Sequence, residues 1–248
     1  RATMLSGQLA KNHGVLYNTL PNGGHTKFNH ANALPVWLSS QGYTTGHIGK
    51  YMNGTESKRP PGWTSWQSVL GAAFNMYNWK LNDNGSTRTY GSGAATYQTD
   101  LLSGLASRFI NERANTEQPF YLQIWPSAPH GRSEAGPPQP APRDIGQYAT
   151  TALPRPPSFN EANVNDKPTR IKNLPLLTGT QIASMEKWYQ SRLESLQAVD
   201  DLVEQVVNTL SATGVLDNTY VVFTSDNGWE QGEHRIQKGK VQPYEEAN

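Results

Sequence analysis

The sequence predicts an α/β fold with a mostly parallel central sheet and helices on both faces. Three observations support this fold class. Short apolar runs of strand length alternate along the chain with longer segments of helical period. One of these runs, "PFYLQIW", is continuous, as expected of a strand that is buried on both faces. Polar residues follow the predicted strands directly, and ligands of such sheets bind beyond the carboxyl ends of the strands.

The first half of the chain contains a helix, a strand and a hairpin. A helix carrying Leu34, Trp37 and Leu38 on one face ends at Gly42, and a short strand follows at residues 43–48. Further along, "NWKLNDNGSTRTYG" places Asp83-Asn84-Gly85 between two strand-like runs. Asn and Gly tolerate the positive φ that tight hairpins require, so this tripeptide is predicted to be a hairpin turn.

The second half contains two helices, two strands and a long loop. One helix precedes "PFYLQIW", and its apolar residues recur at helical spacing: Leu101, Leu105, Phe109 and Ile110. A Pro-rich segment at residues 135–175 has no sustained period and is predicted to be a surface loop. The strongest helical pattern follows at about residues 179–213, with Gly214 as its cap. After it, "NTYVVFTSDNG" is predicted to be a buried strand that leads into a second Asp-Asn-Gly.

Composition limits the classes of function. The chain has 248 residues, 35% of them hydrophobic, and a formal net charge of +1. This balance argues against a nucleic acid or a membrane surface as the main partner, although a local cation cluster could still bind an anionic substrate. There is no cysteine, so this chain has no disulfide, thiolate metal site or cysteine nucleophile. The chain opens on Arg1 and stops at "PYEEAN", and both ends are expected to be truncated.

The second Asp-Asn-Gly differs from the first in its context. No β-run follows Asp226 and Asn227, so a hairpin would lack its second strand. A carboxylate beside an amide carbonyl at a strand end is a pair of hard oxygen ligands suited to Ca²⁺ or Mg²⁺. On the tripeptide alone, a plain loop is the stronger interpretation.

Four sequence blocks resemble the sulfatase family and occur in its order. "RATMLSGQLAKNHGV" is similar to the end of the first sulfatase signature, Cys-x-Pro-Ser-Arg-x-x-Leu-x-Gly. "GYTTGHIGKYMNG" resembles the second signature, and "APHGR" and "FTSDNG…GEHR…KGK…PYEE" resemble two further blocks. The resemblance implies an alkaline-phosphatase-like α/β fold, with residues 1–248 forming part of a catalytic domain. It also implies hydrolysis of an aryl or sugar sulfate by a formylglycine nucleophile, with bound Ca²⁺, or alternatively Mg²⁺.

The resemblance also assigns roles to individual residues. Arg1 is implied to hold the nucleophile and the carboxylate region of the metal site. Lys50, His130 and Lys240 are implied to contact sulfate, and His130 is a candidate to protonate the leaving oxygen. From the residues alone, a solvated Lys50 and an ordinary loop His130 remain alternatives, and Lys238 competes with Lys240. The implied metal ligands are Asp226 and Asn227. His234 is a further candidate for the substrate pocket.

The chain departs from the family pattern in two respects. Many sulfatases have a His two residues after the signature Lys, where this chain has Met52, followed by Asn53. This variant resembles the branch of the glucosamine-6-sulfatases and of bacterial and fungal arylsulfatases, and we expect Asn53 to provide part of the missing polar contact. The implied nucleophile and the first metal-ligand pair would lie upstream of Arg1, so the chain as written is expected to be inactive.

Two alternatives to a sulfatase remain open at this stage. One is a phosphomonoester or phosphonate hydrolase of the same fold, and the other is a non-catalytic sulfate-binding homologue. The identity of the sulfate ester and the oligomeric state are not readable from the sequence, because specificity in such folds depends on loops. Export from the cell is implied by the resemblance only.

Overall fold

Five strands form one open sheet in the computed structural model, which describes residues 1–54, 58–132, 136–240 and 244–247. The strands are β1 (Thr44–Gly49), β2 (Ser65–Leu70), β3 (Lys80–Asp83), β4 (Ser86–Thr89) and β5 (Phe120–Trp125). The helices are α1 (Ala2–Ser6), α2 (Ala10–His13), α3 (Leu34–Ser40), α4 (Gln98–Arg113), α5 (Thr169–Lys172) and α6 (Gly179–Ala212).

The strand order is β4-β3-β2-β1-β5. β1 is parallel to both β2 and β5, and Gly46 lies opposite Ser65 on one side and Leu122 on the other. β3 and β4 extend the sheet as an antiparallel hairpin. The carboxyl ends of β1, β2 and β5 therefore meet at one edge of the sheet, where the predicted site residues follow.

One face of the sheet packs against the long helices α4 and α6. Its core joins Ile48, Val69 and Leu81 of the strands to Leu102 of α4 and Leu202 of α6. Gly46 is required at the centre of β1, because a Cβ there would lie 2.6 Å from the ring of Phe109 in α4. This close approach explains how α4 packs directly on the parallel strands.

The other face packs against the N-terminal segment, which includes α1. Leu5 and Phe28 lie there with Tyr51, Trp63 and Trp66. β5 contributes to both faces, with Leu122 and Ile124 facing α4 and α6, and Tyr121 and Trp125 facing the N-terminal layer. The prediction of helices on both faces is therefore confirmed. The "PFYLQIW" strand is covered on both faces, but five of the six residues of β5 are only half-buried.

His47 is fully buried in the N-terminal layer and is held as a neutral ring. Its Nδ1 accepts a hydrogen bond from Nε2 of Gln123 at 2.8 Å, and its Nε2–H donates to the carbonyl of Gly49 at 3.2 Å. Its ring lies 4.6 Å from that of Trp66, centroid to centroid. Burial lowers the pKa of His47 to about 3. The role of this histidine is thus to support the strand that precedes Lys50.

Acid should destabilise the fold through His47. Between about pH 6.5 and pH 3 the unfolded chain protonates this ring and the native chain does not, so the free energy of unfolding falls as the pH is lowered, by up to about 1.4 kcal/mol per pH unit from this group. Chemical unfolding across this range should show a shallower slope in His47→Gln than in the wild type. Equal slopes would contradict a neutral native His47.

The first Asp-Asn-Gly is a hairpin turn, as predicted. Asn84 and Gly85 have φ of 53° and 100°, and they connect β3 to β4. The side-chain oxygen of Asn84 also accepts a hydrogen bond from the backbone N–H of Trp66 at 2.9 Å, which ties the turn to β2.

The prediction of a buried strand in "NTYVVFTSDNG" is wrong. Tyr220, Val222 and Phe223 are 100%, 83% and 74% exposed, and residues 220–223 belong to no strand. An apolar run becomes a strand only where its backbone pairs with a neighbour. Within the described part of the chain, β5 is the last strand of the sheet on that side, and no ladder joins it to this segment.

The Pro-rich segment is more than a surface loop. The prediction for residue 135 lies outside the described residues, and from residue 136 onward the segment contains one turn of 3₁₀ helix at Pro142–Asp144 and the short α5. Ala141, Leu153 and Ile171 are buried, and Leu153 packs with Met185 of α6. Apolar residues spaced along an irregular segment thus attach it to α6. No helix in the described residues is long and apolar enough to cross a membrane.

Candidate active site

The end of β1 positions Lys50. Gly49 has φ of 109°, and a Cβ there would lie 2.1 Å from the carbonyl oxygen of Trp125, so this turn requires glycine. The backbone N–H of Lys50 then donates to the same carbonyl at 2.8 Å, which links the ends of β1 and β5. Lys50 is buried, and its Nζ donates to the side-chain oxygen of Asn53 at 2.6 Å. Asn53 thus contacts Lys50, and its expected contact to the substrate stays a prediction.

Burial makes Lys50 an unusual lysine. Desolvation, followed by the positive charges of Arg1 and Lys240, lowers the pKa of Lys50 to about 7, although Asp226 opposes the shift. A lysine held in this way favours an anionic ligand, because Asp226 alone faces the positive charges of Lys50, Arg1 and Lys240 among these groups and an anion adds counter-charge.

Arg1 connects the end of β1 to the second Asp-Asn-Gly. Its Nε donates to Oδ2 of Asp226 at 2.8 Å, and its Nη1 donates to the carbonyls of Lys50 and Tyr51 at 2.9 and 2.7 Å. The guanidinium carbon also lies 5.4 Å from the ring centre of Trp125. Arg1 therefore holds Asp226 beside Lys50, although 225 residues separate Arg1 and Asp226 in the sequence.

Asp226 is an ionised carboxylate among cations. Its partial burial would raise its pKa, but the charges of Arg1 and Lys240 outweigh that effect and hold the pKa below its usual value. Nζ of Lys240 lies 3.4 Å from the side-chain oxygen of Asn227. Burial and Arg1 lower the pKa of Lys240, while Asp226 opposes the shift.

His130 lies in the same electrostatic environment. Its pKa is lowered by burial and by the charges of Lys240 and Lys50. Its Nδ1 donates a hydrogen bond to the carbonyl of Gly131 at 2.7 Å, so Nε2 is the ring nitrogen that can exchange a proton with a ligand. Strand β5 and the short turn after it thus place an imidazole next to the lysines.

Phe74 is the site residue that the sequence did not reveal. Its ring stacks on that of His130, with 3.7 Å between centroids and 14° between planes. Nζ of Lys50 lies 5.0 Å from the same ring centre. Phe74 lies in an irregular connection between β2 and β3, where no spacing or motif distinguishes it from a core aromatic residue. Only the tertiary structure shows that it contacts both predicted sulfate ligands.

The structure therefore brings together Arg1, Lys50, Asn53, His130, Asp226, Asn227 and Lys240. His234 has different contacts: its Nδ1 lies 2.9 Å from a carboxylate oxygen of Glu161, and its ring centre lies 4.1 Å from that of Tyr244. Among the described residues, no hydrogen bond or ring contact joins it to Lys50, His130 or Lys240, so its role in substrate binding stays a prediction.

The two lysines of "KGK" point to different neighbours. Lys240 approaches Asn227, whereas Nζ of Lys238 lies 4.8 Å from the ring centre of Trp188 in α6. This difference favours Lys240 over Lys238 as the lysine of the candidate active site.

Asp226 and Asn227 have the donor chemistry of a hard-cation site. They offer a carboxylate kept ionised by Arg1 and Lys240, and an amide oxygen, which suit Ca²⁺ or Mg²⁺. In the described ranges, no group of three or more His, Cys, Asp or Glu side chains could hold a metal ion. Because Ca²⁺ takes six to eight oxygen ligands, these two residues fit as part of a coordination sphere.

The fold and the site define an α/β domain in which cations, an imidazole and an ionised carboxylate lie together at one edge of the sheet. The family model for sulfatases matches residues 1–247. The arylsulfatase of Volvox carteri is 34% identical over 271 residues, covering 99% of this chain and 41% of that protein. N-acetylglucosamine-6-sulfatase of Homo sapiens is 33% identical over 258 residues, covering 99% of this chain and 46% of that protein.

A solved structure in complex with its substrate D-glucosamine-2-N,6-O-disulfate has the same fold. Its TM-score is 0.77 at 24% identity, over 99% of this chain and 58% of that chain. The predicted alkaline-phosphatase-like α/β fold is thereby confirmed. The chain belongs to the sulfatase family, and it spans less than half the length of the two relatives named above.

Proposed function

We propose that the protein hydrolyses sulfate esters at the edge of the sheet formed by the ends of β1 and β5. The observation that supports this most is the convergence of Lys50, His130 and Lys240 on one environment beside Asp226. Each of the three has its pKa lowered by burial, so the site favours a ligand that brings negative charge. A sulfate ester is such a ligand.

In this proposal the residues of the chain bind and orient the sulfate group. Lys50 and Lys240 neutralise charge on its oxygens, and such positioned charges usually contribute most to catalysis. Nε2 of His130, protonated in the presence of the anion, donates to the leaving oxygen. Asp226 and Asn227 would hold a Ca²⁺ or Mg²⁺ ion. When present, a formylglycine would supply the attack on sulfur and the ion would supply positive charge, as the resemblance implies.

A sulfated saccharide is the substrate class that the relatives favour. One relative is named an N-acetylglucosamine-6-sulfatase, and one structural neighbour binds a glucosamine disulfate. We extend this to the present protein as part of the proposal. Export from the cell stays a prediction.

The test of the proposal is a comparison of sulfate and phosphate esters as substrates of the full-length protein. We expect turnover of an aryl sulfate and of a 6-sulfated glucosamine, with much lower turnover of the matching aryl phosphate. A large preference for phosphate would overturn the proposal in favour of a phosphoester hydrolase. No turnover, with neither Cys, Ser nor formylglycine in the tryptic peptide upstream of Arg1, would identify a non-catalytic homologue.

Phe74 should affect the rate through His130. Phe74→Leu removes the ring beneath the imidazole, and stacking of this kind contributes about 0.5–1.5 kcal/mol, so we expect kcat/KM for an aryl sulfate to fall roughly two- to twelvefold. Phe74→Tyr keeps the ring and should retain most of the activity. An unchanged kcat/KM in Phe74→Leu would show that the stack does not position His130.

A further inference from the structure

A shallow groove lies beside the candidate active site, between α6 and the segment that follows Asp226. The indole rings of Trp188 and Trp229 form its walls. Lys238 and two glutamines, Gln231 and Gln237, also line it. We call this feature the tryptophan groove. Both tryptophans are half-buried and Lys238 is exposed, so the groove faces solvent.

The tryptophan groove is attached to the candidate active site at three points. Trp229 follows Asp226 by three residues, and Lys238 precedes Lys240 by two. Trp188 packs against the residue after His130, since a Cβ on Gly131 would lie 2.8 Å from its ring. Trp188 therefore lies beside the turn that carries His130.

Two cations lie against the indole rings of the tryptophan groove. Nζ of Lys238 lies 4.8 Å from the ring centre of Trp188, and the guanidinium carbon of Arg192 lies 5.8 Å from that of Trp229. Nη1 of Arg192 is buried and has no hydrogen-bond partner among the described residues. Glu230, between Trp229 and Gln231, is 0% exposed and presents no carboxylate to the groove. The carboxylate of Glu233 accepts from the backbone N–H of Gln231 and offsets the charge of Arg192, so Lys238, which is exposed, is the cation that would attract an anion to the tryptophan groove.

The chemistry of the tryptophan groove matches a sugar that carries a negative charge. Indole faces pack against the apolar faces of sugar rings, and glutamine amides can donate to and accept from hydroxyl groups. Lysine binds sulfate or carboxylate groups as a point charge. Apolar aromatic walls with a few convergent polar groups are typical of small-molecule sites.

We propose that the tryptophan groove is a second saccharide subsite, which binds an anionic sugar linked to the sulfated sugar that is cleaved. Resting on the proposed function, this inference makes the preferred substrate an oligosaccharide with a second charged residue. Trp188 packs against the second sugar ring, and Lys238 pairs with its sulfate or carboxylate group.

The test uses the full-length protein and three substrates that share one sulfated glucosamine: the monosaccharide alone, its disaccharide with a neutral hexose, and its disaccharide with a uronic acid. For the wild type we expect the highest kcat/KM with the uronic acid. In Lys238→Met, the ratio of kcat/KM between the uronate and neutral disaccharides should fall about tenfold, whereas Lys238→Arg should retain it. Lys187 is an exposed neighbour of Trp188 in α6, so Lys187→Met is the matched control and should keep the wild-type ratio.

A disaccharide with a sulfated hexose in place of the uronic acid distinguishes the two sources of charge. Equal losses with both in Lys238→Met would show recognition of charge alone, as proposed. An unchanged ratio in Lys238→Met, or the same loss in Lys187→Met, would overturn the inference even if the wild type is an active sulfatase.

A second measurement keeps the two proposals separable. The indole N–H signal of Trp188, assigned by its loss in Trp188→Tyr, should shift when the uronate disaccharide is added to the wild type and much less when the neutral disaccharide is added. If the wild type shows no turnover, the proposed function fails while this titration still decides whether the tryptophan groove binds an anionic sugar. The absence of any shift at millimolar disaccharide would overturn the inference.

Discussion

Lys50→Met is expected to lower kcat/KM for a sulfate ester by about a hundred- to a thousandfold, the range for removal of one positioned charge-stabilising group. The same substitution should make the protein more stable at neutral pH. Lys50 is buried, and three of its charged neighbours are Arg1, Lys240 and Asp226, of which only Asp226 is favourable. Methionine has a similar length and needs no counter-charge, so it fits the same space without that cost.

The sign of the stability effect follows from the pKa of Lys50. It is about 7 in the native protein and 10.5 in the unfolded chain, so the unfolded chain binds more protons between these values. The contribution of the Lys50 charge to the free energy of unfolding is therefore most unfavourable below pH 7, and it disappears as the pH rises to 10.5. Lys50→Met should exceed the wild type in free energy of unfolding at pH 7, and the difference should shrink at higher pH.

Lys80→Met, on the exposed side of β3, is the control for a general effect of removing a lysine, and it should change neither activity nor stability substantially. Full activity in Lys50→Met would exclude Lys50 as a ligand of the substrate. Lower stability than the wild type at pH 7 would contradict an unfavourable buried charge at Lys50.

Asp226→Asn should lower kcat/KM by a similar factor and abolish the activation by Ca²⁺ that the proposed metal site implies. The substitution keeps the shape of the side chain but removes the only negative charge that the structure places against Arg1 among the described residues. A neutral amide binds a divalent cation more weakly than a carboxylate does. The Ca²⁺ dependence of activity and isothermal titration with Ca²⁺ would measure the two effects.

Asp217→Asn is the matched control, because Asp217 is exposed beyond the end of α6. It should keep wild-type activity and metal response. Retention of tight Ca²⁺ binding in Asp226→Asn would exclude Asp226 from the metal site, whatever the effect on turnover.

Local patterns predicted most of the fold correctly. The helical period of α4 and α6, the apolar run of β5 and the turn at Asn84-Gly85 each reflect interactions between residues close in sequence. The prediction of a strand at residues 220–223 was wrong for the opposite reason. Its residue types are those of a strand, but a strand exists only through pairing with another strand, which a local pattern does not report.

The candidate site was predictable where a motif marks it. Lys50, His130, Asp226 and Lys240 were identified by resemblance, and the structure brings them together. Phe74 was not identified, because an aromatic residue in an irregular connection carries no signal of what it will contact. The two tryptophans of the tryptophan groove were not identified for the same reason. Trp188 lies within the apolar pattern of α6, and Trp229 follows a turn sequence.

The central claim is that β1, β5 and the segment at residues 226–240 bind a single sulfate group together. A crystal structure of the full-length protein with Ca²⁺ and inorganic sulfate would test it most directly. The account predicts one sulfate within hydrogen-bonding distance, about 3 Å, of Nζ of Lys50, Nε2 of His130 and Nζ of Lys240, with Ca²⁺ bound by Asp226 and Asn227. A sulfate bound elsewhere, with these three side chains turned away from one another, would contradict it.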